Sequence, residues 1–196
     1  MLANVKENLL KYVNFTEEEI VNLISKLESK LIKKNHFLLR EGEICKHVAF
    51  LNRGLIRLYY VKDGKEHNSG FFQSGTWVSE YASFLHKKPS LFYIEALDDT
   101  ELFLLGYENM QKLYNDGKAF ERLGRLIAEN LFHAYFKRNM SLLLDSPEER
   151  YMSFLKENSS LVELLPLKHI ASYVGVEPES LSRIRKRIMN PTFKLK

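Results

Sequence analysis

Residues 167–188, LKHIASYVGVEPESLSRIRKRI, decide how the chain is organised, and they predict two short helices joined by a tight turn. Gly175 supplies the left-handed backbone position that such a turn needs, and Pro178 suits the first turn of the second helix. Ala171 is small enough for the two helices to cross there. Apolar residues at helical spacing would close a small core: Ile170, Val174, Val176, Leu181, Ile184 and Ile188. This is the layout of a helix-turn-helix DNA reader; the alternative is an amphipathic helical hairpin with solvated charges.

Positive charge is concentrated at the same end of the chain. The segment from Lys168 to Lys196 holds seven Lys or Arg against two Glu and so carries +5, whereas the whole chain carries +4. A basic module on a nearly neutral body predicts attraction to phosphate at one end of the molecule. A membrane-surface helix would share this charge, but the segment lacks the broad face of Trp, Phe and Leu that interfacial binding requires. The sequence therefore favours double-stranded DNA as the partner.

Length and composition exclude several other classes. A chain of 196 residues with 45% hydrophobic content can hold a full core, in one large or two small domains. No apolar run approaches membrane-spanning length and the start lacks a signal peptide's apolar stretch, so we expect a cytoplasmic protein without a membrane partner. The single Cys45 cannot form an internal disulfide, and we expect it to act as a small, partly buried hydrophobe.

Enzymatic and metal chemistry find no support in the sequence. The six histidines form no close pair with a downstream Glu, which disfavours a metal site: His36, His47, His67, His86, His133 and His169. The chain has no phosphate-cradling glycine loop, no nucleophile elbow and no acid pair in a recognisable context. We therefore expect no catalytic residues, no metal ligands and no enzyme.

The first half of the chain changes from a helical to a strand pattern. Thr16 and Glu19 form a capping box, from which a helix should run to about Lys33 with Leu27 and Leu31 on its apolar face. Residues 36–106 then follow the period of strands, with turn signals between short runs at 48–51, 55–61 and 69–72. Strands at this spacing predict an antiparallel sandwich or jelly roll, and Asp63-Gly64 marks the clearest hairpin tip.

A long helical segment, roughly residues 108–144, is apolar on more than one face and therefore needs more than one partner. We expect one face to pack on the β-domain and another to meet a second copy of the chain, with Asn130 as a register-setting polar residue. The predicted seam consists of Leu123, Ile127, Asn130 and Ala134. The alternative is a helix packed wholly within its own chain. Ser146 and Glu149 then form a second capping box, with Pro147 at the first helical position, and mark a domain boundary.

This order of elements resembles the Crp/Fnr family of bacterial transcription regulators across nearly the whole chain. The matching motifs are residues 40–43 (REGE), 50–57 (FLNRGLIR), 146–151 (SPEERY), 170–176 (IASYVGV) and 181–184 (LSRI). The resemblance implies an α+β fold with an N-terminal antiparallel β-roll, a cyclic-nucleotide-binding-like jelly roll with flanking helices, then a long dimerisation helix and a C-terminal helix-turn-helix domain. The corresponding segments are 1–107, 108–145 and 146–196. It also implies a homodimer on a near-palindromic DNA site, with RNA polymerase as a candidate partner.

Within this resemblance, Glu179 and Arg183 occupy the places where the family commonly has residues that read base edges. They are four apart on a helix and so point the same way, and Arg with guanine or Glu with the cytosine amino group are favourable pairings. The other residues predicted to bind DNA are assigned to phosphates: Lys168, Ser180, Ser182, Arg185, Lys186 and Arg187. Arg185 and Arg187 have simple solvation as an alternative role.

The predicted effector pocket departs from the family pattern. In the family's cyclic nucleotide binders a Gly-Glu pair holds the ribose, and an Arg followed by Ser or Thr holds the cyclic phosphate. Ser79-Glu80 and Ser90-Leu91 occupy these places, so the phosphate-binding cation is missing. Its loss lowers affinity by at least about ten- to a hundredfold, which makes cyclic AMP an unsuitable ligand. The remaining alternatives are a substitute cation from Lys87, Lys88 or Arg122, an unknown small-molecule effector, or a roll without an effector.

The sequence thus predicts a sequence-specific, DNA-binding transcriptional regulator that acts as a homodimer. The rival class is a regulatory module that binds no DNA and uses the β-roll and long helix to contact a partner. The basic tail discriminates between them, because such a module has no need for Arg183, Arg185, Lys186 and Arg187 on one helix.

Overall fold

The computed structural model describes residues 3–189. These residues form two compact units, one made of residues 3–60 and 69–131, the other of residues 61–68 and 132–189. The boundary lies inside a helix, between Leu131 and Phe132. The predicted division into segments 1–107, 108–145 and 146–196 stays a prediction.

The first unit combines helices with antiparallel strands, as an α+β fold requires. Its helices are α1 (Ala3–Leu10), α2 (Glu17–Ser25), α3 (Tyr81–His86), α4 (Tyr107–Asp116) and the first half of α5 (Lys118–Leu144). Its strands are β1 (Glu28–Ile32), β2 (Phe37–Leu39), β3 (His47–Arg53), β4 (Leu55–Lys62), β5 (Lys65–Gln73), β6 (Thr76–Val78), β7 (Tyr93–Ala96) and β8 (Thr100–Gly106). They form two four-stranded sheets, ordered β1-β8-β3-β6 and β2-β7-β4-β5, which do not close into one barrel.

The core of this unit includes both faces of β3, because three consecutive residues of this strand are buried. Ala49, Phe50 and Leu51 of β3 are completely buried, as are Ile56 of β4 and Ile94 of β7. Trp77 on the neighbouring strand β6 contacts the Phe50 ring edge-on at a centroid distance of 5.2 Å. The strands predicted over residues 36–106 are thus present in two sheets, but β3 and β4 are buried as continuous runs and not at alternate positions.

The predicted helix from residue 16 to about Lys33 is wrong in its second half. Its start is confirmed, because the Glu19 amide donates to Thr16 Oγ1 at 3.2 Å and the Thr16 amide donates to Glu19 Oε2 at 2.8 Å. However, α2 ends at Ser25 and β1 then pairs with β8, placing Leu31 opposite Glu101. Pairing with a distant strand overrides the helical spacing, and Leu31 is 75% exposed.

Two further features of the fold concern a hairpin tip and a helix boundary. The hairpin tip between β4 and β5 is confirmed, because Asp63 and Gly64 both adopt positive φ angles of 51° and 72°, as a two-residue hairpin turn requires. The long helical segment predicted over residues 108–144 is instead two helices, since Gly117 is fully extended (φ 178°, ψ 150°) and separates α4 from α5.

The second unit is largely helical. It contains the C-terminal half of α5, α6 (Pro147–Glu157), a single 3₁₀ turn (Ser159–Leu161), α7 (Leu167–Val174) and α8 (Pro178–Met189), together with the hairpin tip of residues 61–68. The capping box at Ser146 and Glu149 is confirmed, with Pro147 as the first helical residue. Four of the six predicted core residues are buried and two, Val176 and Ile188, are only partly buried. The buried four are Ile170, Val174, Leu181 and Ile184.

Candidate nucleic-acid interface

Helices α7 and α8 are here called the helix pair. The turn between them depends on Gly175. Its backbone is left-handed (φ 79°, ψ 40°), and the next amide, that of Val176, donates to the carbonyl of Ala171 at 3.0 Å. A Cβ atom at this position would lie 3.4 Å from Leu142 Cδ2, so side chains there are both strained and crowded. Gly175 thus ends α7 and sets the direction in which α8 begins.

Two arginines hold the C-terminal end of α7. Arg138 of α5 donates to the Tyr173 carbonyl at 2.7 Å, and Arg150 of α6 donates to the Val174 carbonyl at 2.6 Å. Arg150 also donates to the carbonyl of Asp145 at 2.6 Å, which links α7 to the end of α5. Cations at a helix C-terminus satisfy its free carbonyls and its dipole. The sequence did not single out these residues, because nothing in a helical pattern shows which distant carbonyl an arginine reaches.

The base-reading candidates lie on the outward face of α8. Glu179, Arg183 and Lys186 are exposed, whereas Leu181 and Ile184, on the opposite side of the helix, are buried. The guanidinium of Arg183 donates to Ser180 Oγ at 2.9 Å, so the hydroxyl fixes part of the arginine's orientation. The helix therefore presents one carboxylate and two cations in a single row to solvent.

The remaining predicted DNA contacts have mixed surroundings. Lys168 is exposed at the start of α7, and Arg187 forms an ion pair with Glu148 of α6, with 3.3 Å between Nη2 and Oε2. Ser180, Ser182 and Arg185 are partly buried. Arg187 is thus partly committed to a contact within its own unit.

The predicted effector residues do not converge on an open anion site. Glu80 caps α3 by accepting from the Ser83 amide at 2.9 Å, and Ser79 donates to the His47 carbonyl at 3.0 Å. Ser90 is 2% exposed, and its hydroxyl is engaged by the amide and the carbonyl of Phe92. Leu91, in contrast, is 71% exposed. These polar groups satisfy the local backbone.

The cations considered as substitutes lie elsewhere. The Lys87 ammonium sits 4.7 Å from the centre of the Tyr107 ring, and the Lys88 carbonyl accepts from Ser83 Oγ. Arg122 is exposed on α5. Lys87 shares a groove with His47, whose pKa is lowered mainly by burial.

The predicted seam on α5 divides between interior and solvent. Leu123 is 6% exposed and lies in the core of its own unit, and the predicted seam stays a prediction. Ile127 is partly buried, while Asn130 and Ala134 are exposed. Sequence spacing alone could not distinguish a core-facing stripe from a seam.

A different face of α5 carries exposed apolar side chains that the heptad count missed. Phe132, Phe136 and Leu143 are 71%, 53% and 71% exposed, and their spacings of four and seven residues place them on one side of the helix. The two phenyl rings stack with their centroids 6.1 Å apart. This set, here called the aromatic stripe, lies roughly opposite the predicted seam.

A buried ion pair in the first unit was also not anticipated. Arg57 of β4 and Glu95 of β7 are cross-strand partners, with 2.6 Å between Nη2 and Oε2, and their side chains are 5% and 11% exposed. The guanidinium also lies 3.8 Å from the centre of the Tyr59 ring. The pair is fully engaged with groups of its own unit.

Among residues 3–189, no three His, Cys, Asp or Glu side chains are placed so that they could hold a metal ion. In the same described part of the chain, no helix has the length and apolar character needed to cross a membrane.

Comparisons with known proteins agree with the observed fold. Residues 29–116 match the family described as the cyclic nucleotide-binding domain. No curated protein matches the sequence. A solved structure of the c-di-GMP-responsive global regulator CLP from Xanthomonas campestris is similar, with a TM-score of 0.69 at 17% identity over 89% of this chain and 92% of that chain.

Two other solved structures are similar over comparable lengths. FixK2 from Bradyrhizobium japonicum has a TM-score of 0.72 at 19% identity, over 83% of this chain and 84% of that one. A regulator described as a member of the Crp/Fnr family, from Eubacterium rectale, has a TM-score of 0.70 at 19% identity, over 89% and 84%. Residues 29–116 are therefore similar to the cyclic nucleotide-binding domain, and the chain shares its fold with solved proteins that include a regulator of the Crp/Fnr family, which confirms the resemblance.

Proposed function

We propose that this protein is a transcriptional regulator that binds specific double-stranded DNA sequences as a homodimer. The observation that carries the proposal is the outward face of α8, where Glu179, Arg183 and Lys186 are exposed opposite a buried apolar face. The left-handed Gly175 turn orients this helix relative to α7 in the manner of a helix-turn-helix. Solved proteins that include regulators of the Crp/Fnr family share the fold, which supports the same function.

The proposed roles follow from the chemistry of the grooves. Arg183 would donate two parallel hydrogen bonds to a guanine, and Glu179 would accept from a cytosine amino group. Ser180 would orient Arg183 through the bond that it already forms. Lys168, Lys186 and Arg187, together with Ser182 and Arg185, would contact phosphates, which position the protein without reading sequence.

Replacing Arg183 or Lys186 by alanine separates the recognition of base sequence from the attraction to phosphates. Arg183→Ala should relax sequence choice at one base pair and cost about 1–3 kcal/mol on the preferred site, because a bidentate base contact is lost. Lys186→Ala, on the same face, should weaken preferred and random duplexes alike. Fluorescence anisotropy on both duplexes measures the difference. If Arg183→Ala lowered the affinity for both duplexes equally, Arg183 would not recognise base sequence.

We also propose that α5 forms the dimer contact through the aromatic stripe. Phe132 and Phe136 form an exposed, stacked pair on α5. Exposed apolar patches of this kind mark association surfaces. Two-fold symmetry would place the two α8 helices about 34 Å apart, one turn of DNA. Asn130 and Ala134, on the other face, are then left outside the seam.

Cyclic AMP is not proposed as the effector. Glu80 is engaged as the α3 cap, and Ser90 and Leu91 offer no cation to a cyclic phosphate. Burying that charge without a partner is strongly unfavourable. An unknown small-molecule effector remains a proposal, and so do RNA polymerase as a partner and the cytoplasm as the place of action.

A second candidate function is a regulatory module that contacts a partner protein and binds no DNA. The aromatic stripe is the observation that favours it, because exposed phenyl rings also suit a partner helix. The exposed cations Arg183 and Lys186 on α8 have no role in this alternative. DNA binding that Arg183→Ala weakens by about 1–3 kcal/mol at unchanged folding would therefore favour the regulator, whereas no DNA binding by the original chain would favour the partner-binding module.

A further inference from the structure

The tip of the β4–β5 hairpin is bound to the helix pair. Ser172 of α7 binds two backbone groups of the tip. Its hydroxyl donates to the Glu66 carbonyl at 2.7 Å and accepts from the Asn68 amide at 2.9 Å. Beyond the end of α7, Lys65 and Glu177 form an ion pair, with 2.6 Å between Nζ and Oε1. These groups are all part of the second unit. The hairpin tip is thus held to both α7 and the start of α8.

The contact extends to the end of α7. Arg138 donates to the Asn68 carbonyl at 3.2 Å with the same nitrogen that donates to the Tyr173 carbonyl at 2.7 Å. Asn68 is 2% exposed, and its Nδ2 is 3.5 Å from both Nδ1 and the carbonyl oxygen of the buried His169. One guanidinium therefore joins the hairpin tip to the helix that precedes the turn.

One group in this contact favours its opening. Asn68 Oδ1 is buried and has no hydrogen-bond partner among the residues that the structure describes. A buried acceptor without a partner is unfavourable, whereas water would satisfy it once the hairpin tip moved away. The closed contact is therefore built from several bonds but carries one group that is better satisfied in the open state.

The hairpin tip borders the groove that Lys168 lines, and the proposed function assigns Lys168 to a phosphate. Glu66, Lys168 and Ser172 line one groove, which Glu177 also borders. The Ser172 hydroxyl is already used by the hairpin backbone. Lys65 and Lys168 balance Glu66 and Glu177, so the lysines and glutamates of this groove carry no net charge. The hydrogen bond from Lys65 lowers the pKa of Glu177 and holds the hairpin tip to the start of α8. A DNA phosphate that followed the groove from Lys168 towards Ser172 would meet the hairpin backbone.

We propose that the tip of the β4–β5 hairpin is an autoinhibitory contact that must leave α7 and the start of α8 before DNA phosphates extend from the exposed Lys168 to Ser172. This inference rests on the proposed DNA-binding function and adds a control of it. The partner displaced by the hairpin is the sugar-phosphate backbone of duplex DNA. The state with the hairpin bound is the state with weak affinity.

Hydrogen–deuterium exchange of the full chain, with and without random-sequence duplex at low salt, tests the proposal. We expect DNA to slow amide exchange in α8 and to speed exchange at residues 65–69, because the Asn68 amide loses its bond to Ser172. Slower or unchanged exchange at 65–69, with α8 protected, would overturn the autoinhibitory contact while leaving DNA binding intact. No change in α8 at any DNA concentration would instead overturn the proposed function itself.

Two hairpin lysines give a matched comparison. Lys65→Ala removes the bond to Glu177 and should tighten DNA binding about two- to fivefold, as expected for the loss of one exposed ion pair that holds the closed state. Lys62→Ala removes the same charge from a position without an ion pair in the described structure, so binding should be unchanged or weaker. In a Glu177→Gln background, Lys65→Ala should no longer tighten binding. If Lys65→Ala weakened binding as Lys62→Ala does, the proposal would be wrong.

Discussion

At the scale of single residues, the buried ion pair of Arg57 and Glu95 is the most sensitive point of the first unit. Arg57→Ala would leave the Glu95 carboxylate buried without its cation, and we expect a loss of about 3–5 kcal/mol in the free energy of unfolding. The guanidinium also covers the Tyr59 ring, so packing is lost together with charge. Urea denaturation followed by circular dichroism measures the change.

The control for this prediction removes both charges together. Arg57→Met combined with Glu95→Leu replaces the pair by apolar side chains, and such replacements are often neutral or stabilising. The double variant should therefore recover most of the stability that the single variant loses. If Arg57→Ala were as stable as the original chain, the ion pair would make no net contribution to the free energy of unfolding.

Residues with a local role could be predicted from the sequence, and those with a distant partner could not. Gly175, Thr16 and Ser146 act on backbone groups within a few positions, so composition and spacing identify them. Arg57 and Leu123 depend on what lies across a sheet or behind a helix. Helical spacing placed Leu123 in a seam because a core stripe and a seam have the same period.

At the scale of elements, the packing of α4 against α5 depends on Gly124. A Cβ atom there would overlap the hydroxyl of Tyr114 and lie 2.7 Å from its Cζ, both parts of a rigid ring. Tyr114 is half-buried, and burial raises its pKa to about 12. We expect Gly124→Ala to destabilise the fold by about 1–3 kcal/mol, as overpacking typically does. Thermal unfolding by calorimetry measures this.

Gly117 provides the matched control for Gly124. Its extended backbone suits any residue, and the nearest atom to an added Cβ is Phe120 Cδ2 at 3.7 Å, an ordinary contact. Gly117→Ala should therefore leave the melting temperature nearly unchanged. Because Gly→Ala raises helix propensity and restricts the unfolded chain, neither effect can cause a loss. A comparable loss for both variants would therefore show that the overlap with Tyr114 is not the cause.

Element types were predictable wherever local patterns and tertiary pairing agreed. The strands of β3, β4 and β5, the Asp63-Gly64 tip and the α7–α8 pair follow from alternation, turn residues and helical spacing. β1 was missed because Leu27 and Leu31 fit a helical face, while β8 supplies the bonds that make the segment a strand. The sequence analysis also did not identify α1. No local signal shows that a hairpin tip contacts a helix more than a hundred residues away.

At the scale of the whole molecule, the proposed mode of DNA binding requires two copies of the chain. Phe132→Asp with Phe136→Asp places two charges on the aromatic stripe and should convert the dimer to a monomer at micromolar concentration, without loss of folding because both side chains are exposed. Multi-angle light scattering measures the mass. Ala134→Asp, on the roughly opposite face, is the matched control and should leave the mass unchanged. The reverse result would restore the seam predicted from the heptads.

The central claim is that the outward face of α8 reads DNA sequence. A competition mobility shift tests it most directly: genomic fragments captured by the protein compete against random duplex over a range of salt concentrations. We predict that the captured fragments bind at least about a thousandfold more tightly than random duplex, and that both affinities fall steeply as salt rises. Equal binding of the two kinds of duplex at every salt concentration would contradict the account.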